Sequence, residues 1–411
     1  MRVLMVTRGV VPISPRAGGA ELVAYQLAKA MGRSAHEVVL VSDVTHPEFF
    51  AAPRVSFRPV GSRALPLVQK LPAGFFRWIV EHLLGNLCAA RAAKRILSVD
   101  PDFDLVHVHG PLAALLICRF ANVPVVYTEH DATPWICRYR HWWERPIRKL
   151  IYRAVNVRAL ERADHVATVF DSLREELVGR YGIPAERVTT IANGTDVDVF
   201  NPYRPGISPV RELHGFDRYI LFVGRLTSRK APDLLLRALV DTPGVNCAFV
   251  GDGPMRRKLE QLAGELALAD RVAFLGNVAP TELGRVYADA DFTVLPSVSE
   301  GMPLTVIESM ACGTPVLTTR VAGATHLIDD WETGFLVKPD DLGQLEMAIR
   351  FLWGDAELRE EMGRKARQKA IRDYVWPGVA RQYLALYGSM LRGGLDARTH
   401  EVVEGVPSLQ A

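Results

Sequence analysis

Hydrophobic and polar positions alternate along most of this chain in a way that predicts strands and helices in turn. Short apolar runs of the kind found in buried parallel strands are each followed by a stretch with helical spacing or by a polar turn. The predicted strands are residues 1–7, 38–42, 104–109, 124–128, 165–170, 188–191, 219–223, 246–250, 272–274, 291–295 and 316–318. This repeated β-loop-α-β order predicts an α/β protein built on doubly wound sheets.

The length and one irregular segment predict two domains. A chain of 411 residues is longer than one ordinary hydrophobic core supports. Residues 200–217 are rich in proline and glycine and show little periodicity, as expected of a linker. We therefore expect a first domain over residues 1–200 and a second over 201–375. After Gly393 the apolar period is lost, and we expect a disordered tail over residues 393–411.

Composition excludes several classes of protein. A net charge of +3 without a strongly basic tract argues against a nucleic-acid partner. The five cysteines are scattered, which indicates neither a disulfide framework nor a zinc site and fits a reducing cytoplasm. The amino terminus reads as a strand and not as a signal peptide, and no apolar run is long enough to span a bilayer. We expect a cytoplasmic protein.

The strongest chemical signal lies in Ser297–Val316. A predicted strand leads into a polar turn, which opens a helix that Gly313 closes. Glu300 lies in the turn and Glu308 inside the helix, near the carboxyl end of a strand, where open α/β sheets bind ligands. The N–H groups of the helix start can bind an anion; they belong to Met302, Leu304 and Thr305. Acceptors for hydroxyls next to donors for phosphate suit a sugar nucleotide.

Two cations follow the first strand of the second domain. Arg225 and Lys230 lie in the turn V-G-R-L-T-S-R-K before a helix. Alone, such a pair is usually solvated surface, but near the two glutamates it can bracket a diphosphate and stabilise a leaving group as its charge grows.

Signals in the first domain leave alternatives open. The Gly18-Gly19 pair is either a tight turn or a close approach of backbone to a ligand at a helix start. His107 and His109 are two residues apart on one strand and point to the same face. His130, at the carboxyl end of the next strand, is either a hydrogen-bonded structural residue or a functional one.

Two stretches rich in arginines and aromatics, residues 63–97 and 133–162, have two interpretations. They are either solvated helices whose aromatics pack inward or a surface for an acidic or lipid-linked acceptor. The second interpretation implies peripheral contact with the inner face of a membrane.

Taken together, these motifs resemble the family 4 retaining glycosyltransferases, and the likeness covers nearly the whole chain. The matching residues are Gly18-Gly19-Ala20-Glu21, the histidine of Thr128-Glu129-His130, Asn193-Gly194-Thr195-Asp196, Gly224-Arg225-Leu226 to Lys230, Val250-Gly251-Asp252-Gly253-Pro254, and Glu300-Gly301-Met302-Pro303 through Glu308. The helix at 376–387 is similar to the closing helix of that family. The resemblance implies the GT-B fold, with two facing Rossmann-like domains, the active site in the cleft between them, and residues 376–392 crossing back to the first domain.

The resemblance also implies roles for these residues. Arg225 and Lys230 would bind the diphosphate of a nucleotide-diphosphate sugar, and Glu308 its ribose. Glu300 would bind hydroxyls of the transferred sugar, helped by N–H groups from Gly301 to Thr305. His130 and the Gly18-Gly19 loop would approach the sugar and the diphosphate from the first domain. His130 and Glu300 would be the catalytic residues. The implied reaction retains the anomeric configuration and needs no bound metal.

Two departures from the family pattern concern the donor site. The glycine usual after the lysine is Ala231, and Ala322-Gly323-Ala324-Thr325-His326 replaces a double glycine followed by Pro-Glu. The sequence therefore predicts a transferase that moves sugar to a hydroxyl acceptor, which is a glycan, a lipid-linked molecule or a small molecule. The alternatives are a sugar-nucleotide epimerase or phosphorylase of the same fold, or a non-catalytic carbohydrate-binding relative.

Overall fold

The computed structural model describes residues 1–7, 19–43, 52–60, 75–130, 144–203 and 206–404. Two parallel β-sheets with interleaved helices form an α/β fold of two Rossmann-like domains, as the sequence predicts. The strands are β1 (Arg2–Val6), β2 (Glu37–Val41), β3 (Val55–Arg58), β4 (Leu105–Val108), β5 (Val125–Glu129), β6 (His165–Thr168), β7 (Val188–Thr190), β8 (Ile220–Val223), β9 (Cys247–Val250), β10 (Val272–Gly276), β11 (Phe292–Leu295), β12 (Val316–Thr319) and β13 (Gly334–Val337).

Helices connect these strands and cover both faces of each sheet. They are α1 (Ala20–Arg33), α2 (Phe75–Val99), α3 (Pro111–Ile117), α4 (Glu144–Ile151), α5 (Arg158–Arg162), α6 (Asp171–Tyr181), α7 (Pro209–His214), α8 (Pro232–Ala238), α9 (Arg256–Glu265), α10 (Pro280–Ala288), α11 (Leu304–Ala311), α12 (Ala322–Leu327), α13 (Leu342–Gly354), α14 (Ala356–Asp373) and α15 (Trp376–Glu404). One π-helical turn, Tyr152–Val157, joins α4 to α5.

Strand order places a crevice at the carboxyl end of each sheet. The first sheet runs β3-β2-β1-β4-β5-β6-β7 and the second β10-β9-β8-β11-β12-β13. The order reverses between β1 and β4 in the first sheet, and between β8 and β11 in the second. The chain segments that follow the two strands of such a pair run in opposite directions along the sheet. A crevice therefore opens between them, and this is where α/β folds bind ligands.

All eleven strands expected from the apolar runs are present, and two further strands are not predicted by them. Both β3 and β13 are edge strands, and Val55–Arg58 is only half buried. A half-buried edge strand needs no continuous apolar run, which explains why β3 gave no signal. Strand β13 is an apolar run, Gly-Phe-Leu-Val, and is largely buried, so its edge position does not explain why it is not among the predicted strands. Helix α7 lies inside the segment predicted to be a linker.

The last helix crosses from the second domain to the first. Trp376, Tyr383 and Tyr387 of α15 are buried against β1, α1 and β2. At its start, the Thr195 N–H donates to the Tyr374 carbonyl over 2.7 Å. Helix α15 extends to Glu404 and so includes Gly393 and Gly394, where the sequence predicts the start of the tail. The residues beyond these glycines include strong helix formers and no proline before 405, so the helix propagates.

Candidate active site

The loop after β8 carries the two predicted cations. Arg225 is exposed, whereas Lys230 is mostly buried and lies just before α8. The V-G-D-G-P turn after β9 packs directly beneath this loop. A Cβ on Gly253 would lie 2.5 Å from the Leu226 carbonyl oxygen, so only glycine allows this approach.

Ala231 follows Lys230 in a left-handed conformation, with φ 47° and ψ 48°. This backbone region is open to glycine and costs another residue about 1–2 kcal/mol. The alanine at this position therefore carries backbone strain that a glycine would not.

Glu300 lies on the loop after β11, directly beside the cationic loop, because β11 pairs with β8. The Lys230 Nζ atom lies 2.6 Å from Glu300 Oε1, and both side chains are largely buried. Burial by itself raises the pKa of the Glu300 carboxyl, but the charges of Lys230 and Arg229 outweigh it and the pKa is lowered. Glu300 is therefore an ionised acceptor, and Lys230 is its partner as well as a candidate for the diphosphate.

The pKa of the Glu308 carboxyl is shifted in the opposite direction. Its Oε2 accepts a hydrogen bond of 3.1 Å from the Tyr287 hydroxyl. Burial raises its pKa to about 7, and the Tyr287 hydrogen bond opposes this rise. Within one motif, then, one carboxylate is charged at neutral pH and the other is near its titration midpoint.

The start of α11 forms a polar surface between the two glutamates. Pro303 is the N-cap residue, so Leu304 and Thr305 are in the first turn, where N–H groups have no acceptor within the helix. Thr305 Oγ1 is buried and has no hydrogen-bond partner among the residues that the structure describes. Free N–H groups and an unsatisfied hydroxyl together suit the oxygen atoms of a phosphate or a sugar.

Gly323 fixes the position of the Glu300 loop. A Cβ at this residue would lie 1.1 Å from the Gly301 carbonyl oxygen, so α12 packs backbone to backbone against the loop. The glycine of this altered segment is thus essential for packing. His326, three residues on, has its Nδ1 atom 3.8 Å from Asp171 Oδ2 of the first domain.

Another contact between the carboxyl ends of the two sheets involves Asn193. Asn193, just after β7, donates from Nδ2 to the Met302 carbonyl oxygen over 3.2 Å, and its backbone N–H lies 3.1 Å from the Met302 sulfur. Met302 is next to Gly301 in the Glu300 loop. The asparagine of the first domain thus contacts the loop that the second domain offers to a ligand.

The first domain brings three histidines together at the ends of β4 and β5. His107 and His109 point to the same face, as predicted, with ring centroids 4.3 Å apart. His130 follows β5, and its Nε2 atom lies 2.8 Å from His109 Nδ1. Gly19 adopts φ 70° at the N-cap of α1, while Gly18 lies outside the described residues.

Several partners in this site carry no local sequence signal. Tyr287 comes from α10, Tyr383 and Tyr387 come from the last helix, and Asn193 comes from the first domain. Only the fold brings them to Glu308, the histidines and Met302. Asn193 and the two tyrosines belong to segments that the resemblance singles out, whereas Tyr287 does not.

Two further properties concern metals and membranes. Among the described residues, no group of three or more His, Cys, Asp or Glu side chains is arranged to hold a metal ion. None of the helices, over the residues searched, combines the length and apolarity needed to cross a membrane.

Comparisons with known proteins agree with this geometry. Residues 17–199 match the family described as Glycosyltransferase Family 4, and residues 207–369 match Glycosyl transferases group 1. The D-inositol 3-phosphate glycosyltransferase of Mycolicibacterium smegmatis is 32% identical over 80% of this chain and 76% of its own length. The chain belongs to glycosyltransferase family 4.

Relatives of this glycosyltransferase are named for different reactions. The sulfoquinovosyl transferase SQD2 of Arabidopsis thaliana is 30% identical over 83% of this chain, and the match spans 64% of its length. Among solved structures, Anabaena Alr3699/HepE in complex with UDP-glucose superposes with a TM-score of 0.72 at 23% identity, covering 95% of this chain and 100% of that one. The glycosyltransferase therefore has the GT-B fold, with its candidate site between the two domains.

Proposed function

We propose that this glycosyltransferase uses a nucleotide-diphosphate sugar and retains the configuration of its anomeric carbon. One arrangement carries the proposal: the Lys230–Glu300 pair lies beside the open start of α11, at the point where strand order reverses. A UDP-glucose complex of a protein with the same fold adds support for this class of donor.

In this proposal the diphosphate lies between the cations and the helix start. Lys230 has three N–H donors and gives one to Glu300, which leaves two for phosphate oxygens. Arg225, exposed toward solvent, contributes a planar pair of donors. Thr305 Oγ1 and the first-turn N–H groups add uncharged donors, and the ribose hydroxyls bind Glu308.

The reaction follows from these contacts. The bond between the anomeric carbon and the phosphate oxygen breaks, and the acceptor oxygen attacks from the same face. The acceptor proton moves to the departing phosphate oxygen, so nucleoside diphosphate and glycoside are the products. Charge grows on the phosphate as the bond breaks, and the cations and helix start stabilise that charge without a bound metal.

Arg225→Gln provides the sharpest test, because the exposed arginine can be replaced with little effect on stability. We expect calorimetry with UDP-, GDP- and ADP-sugars to find one nucleotide that binds the wild type, and the variant to bind it about 10- to 100-fold more weakly. Arg350→Gln, an exposed arginine on α13, is the matched control and should bind normally.

Three results would count against the proposal or a part of it. Failure of every nucleotide sugar to bind the folded wild type would favour a non-catalytic relative. A product with inverted anomeric configuration, read by NMR coupling constants, would reject the same-face reaction while keeping the transferase. Chelator treatment that abolished turnover would reject metal independence.

We further propose that the acceptor is presented at a membrane surface. On α4, Leu150 is 70% exposed and Ile147 is 40% exposed, and the basic residues Arg148 and Lys149 lie beside them. Apolar side chains next to positive charge suit the surface of anionic lipid. Co-sedimentation with anionic liposomes at low salt is expected for the wild type and should be lost in Leu150→Glu; sedimentation of neither protein would reject the proposal.

A further inference from the structure

A buried polar network behind His130 links this residue to the helix that crosses between the domains. Its first part is a pair of histidines at the carboxyl end of β4. His107 and His109 are both buried, and their rings are in contact. His107 is hydrogen-bonded at both ring nitrogens: Nε2 lies 2.7 Å from Thr128 Oγ1, and Nδ1 lies 2.7 Å from the Tyr387 hydroxyl.

The hydroxyl groups hold His107 in place. Burial, with smaller contributions from His109 and His130, lowers the pKa of His107 well below the ordinary value, so the ring is neutral at neutral pH. Tyr383, one helical turn before Tyr387, lies 3.2 Å from the same Thr128 oxygen. His107 therefore forms a fixed wall against one face of the His109 ring.

Hydrogen bonds of the Glu129 side chain also fix the backbone between Thr128 and His130. Glu129 is buried, and its Oε2 accepts from the Tyr127 hydroxyl over 2.9 Å and from Asn156 Nδ2 over 3.0 Å. Asn156 lies in the π-helical turn, a feature common at functional sites. His130 thus enters the cleft from a backbone with little freedom to move.

The bond between His109 and His130 has a chemical consequence. It joins His109 Nδ1 to His130 Nε2 over 2.8 Å, and such a bond needs a hydrogen on one nitrogen and a lone pair on the other. If His109 donates, a neutral His130 carries its hydrogen on Nδ1; if His130 donates, its Nδ1 is an acceptor. Which ring donates in this partly buried hydrogen bond therefore sets whether the Nδ1 atom of His130 can donate or accept.

We propose that His109 is a positioning residue that fixes the tautomer and ring orientation of His130. The proposal rests on the function proposed above, together with the role at the donor sugar that the family resemblance implies for His130. His107 and the two tyrosines of α15 support His109 from behind. The helix that crosses between the domains is in this way part of the wall of the sugar site.

The decisive experiment reads the tautomer without any donor. The full chain is labelled with ¹⁵N at histidine, and long-range ¹H–¹⁵N spectra are recorded at pH 8, above the usual histidine pKa of about 6.5. The His130 signals are assigned by their loss in His130→Gln among the 11 histidines. We expect one tautomer of His130 in the wild type and a mixture of both in His109→Leu, which keeps bulk and removes the hydrogen bond.

Three further variants separate positioning from general damage. His109→Asn places an amide near the position of Nδ1 and should restore part of the preference, whereas His109→Gln reaches the position of Nε2 and should not. Should His109→Leu fail to fold, His109→Gln takes its place. Tyr387→Phe removes a hydroxyl at the far end of the network, and we expect it to lower stability while the His130 tautomer stays single.

Turnover gives the second readout. We expect His109→Leu to lower kcat about tenfold or more with KM little changed, and His109→Asn to recover part of it. An unchanged single tautomer in both His109→Leu and His109→Gln would overturn the inference, as would a mixture in the wild type. Failure of the proposed function is distinguishable, because it appears as absent turnover by a wild type that still shows the fixed tautomer.

Discussion

The two glutamates of the Glu300–Glu308 motif should respond to pH in opposite ways, and Glu308→Gln tests this. The pKa of Glu308 is raised to about 7 in the folded protein, against 4.5 for the free side chain. Between these values the folded state binds a proton that the unfolded state has lost. Stability from this group is therefore complete below pH 4.5 and is lost as the pH rises through 7.

The size of the effect follows from the two values. Each pKa unit corresponds to about 1.36 kcal/mol of free energy. Compared with a pH at which Glu308 is protonated in both states, the unfolding free energy is therefore lower by about 0.8 kcal/mol at pH 5 and by about 3.4 kcal/mol at pH 8. Glutamine cannot ionise and can still accept the Tyr287 hydrogen bond. Relative to wild type, we expect Glu308→Gln to gain about 2.5 kcal/mol of unfolding free energy between pH 5 and pH 8. Because Glu308 keeps some contact with water, this is an upper value.

The assay is urea unfolding of both proteins at pH 5, 6, 7 and 8. Glu300→Gln is the matched control from the same motif. The pKa of Glu300 is lowered, since the charges of Lys230 and Arg229 outweigh its burial, so its stabilisation is present above pH 4.5 and is lost only at lower pH. We expect this variant to lose about 3–5 kcal/mol at every pH tested, because Lys230 is left buried without its partner. A Glu308→Gln difference that changes by less than about 0.5 kcal/mol across the range would refute the reasoning.

Two predictions concern backbone positions of the donor loops. Ala231→Gly should stabilise the protein by about 0.5–1 kcal/mol in urea unfolding, since relief of left-handed strain exceeds the added entropy of the unfolded chain; Ala263→Gly within α9 should instead destabilise by about 1 kcal/mol, and a loss in both would show that Ala231 is unstrained. Gly323→Ala should abolish donor binding in calorimetry and cost more than about 3 kcal/mol, because its Cβ would collide with the Gly301 carbonyl. Its control, Gly264→Ala, meets nothing within 4 Å and should bind donor normally; equal behaviour of the two variants would contradict the packing argument.

Much of the fold was accessible from the sequence because the information is local. Parallel strands buried on both faces need apolar runs, and these predicted every interior strand of both sheets. The apolar period gave no signal for β3, because this edge strand is only half buried. Among the site residues, Glu300 and Glu308 were predicted from their own motif.

Ionisation and hydrogen bonding at the site were decided only by tertiary structure. Two glutamates eight residues apart look equivalent in the sequence, yet Lys230 on a neighbouring loop keeps one ionised and burial beside Tyr287 raises the pKa of the other. His109 and His130 are 21 residues apart and meet because β4 and β5 are adjacent in the sheet. Residue spacing specifies which groups are available and which face they occupy. Charge state and tautomer depend on partners from distant segments, because desolvation and hydrogen bonds act only between groups that folding brings into contact.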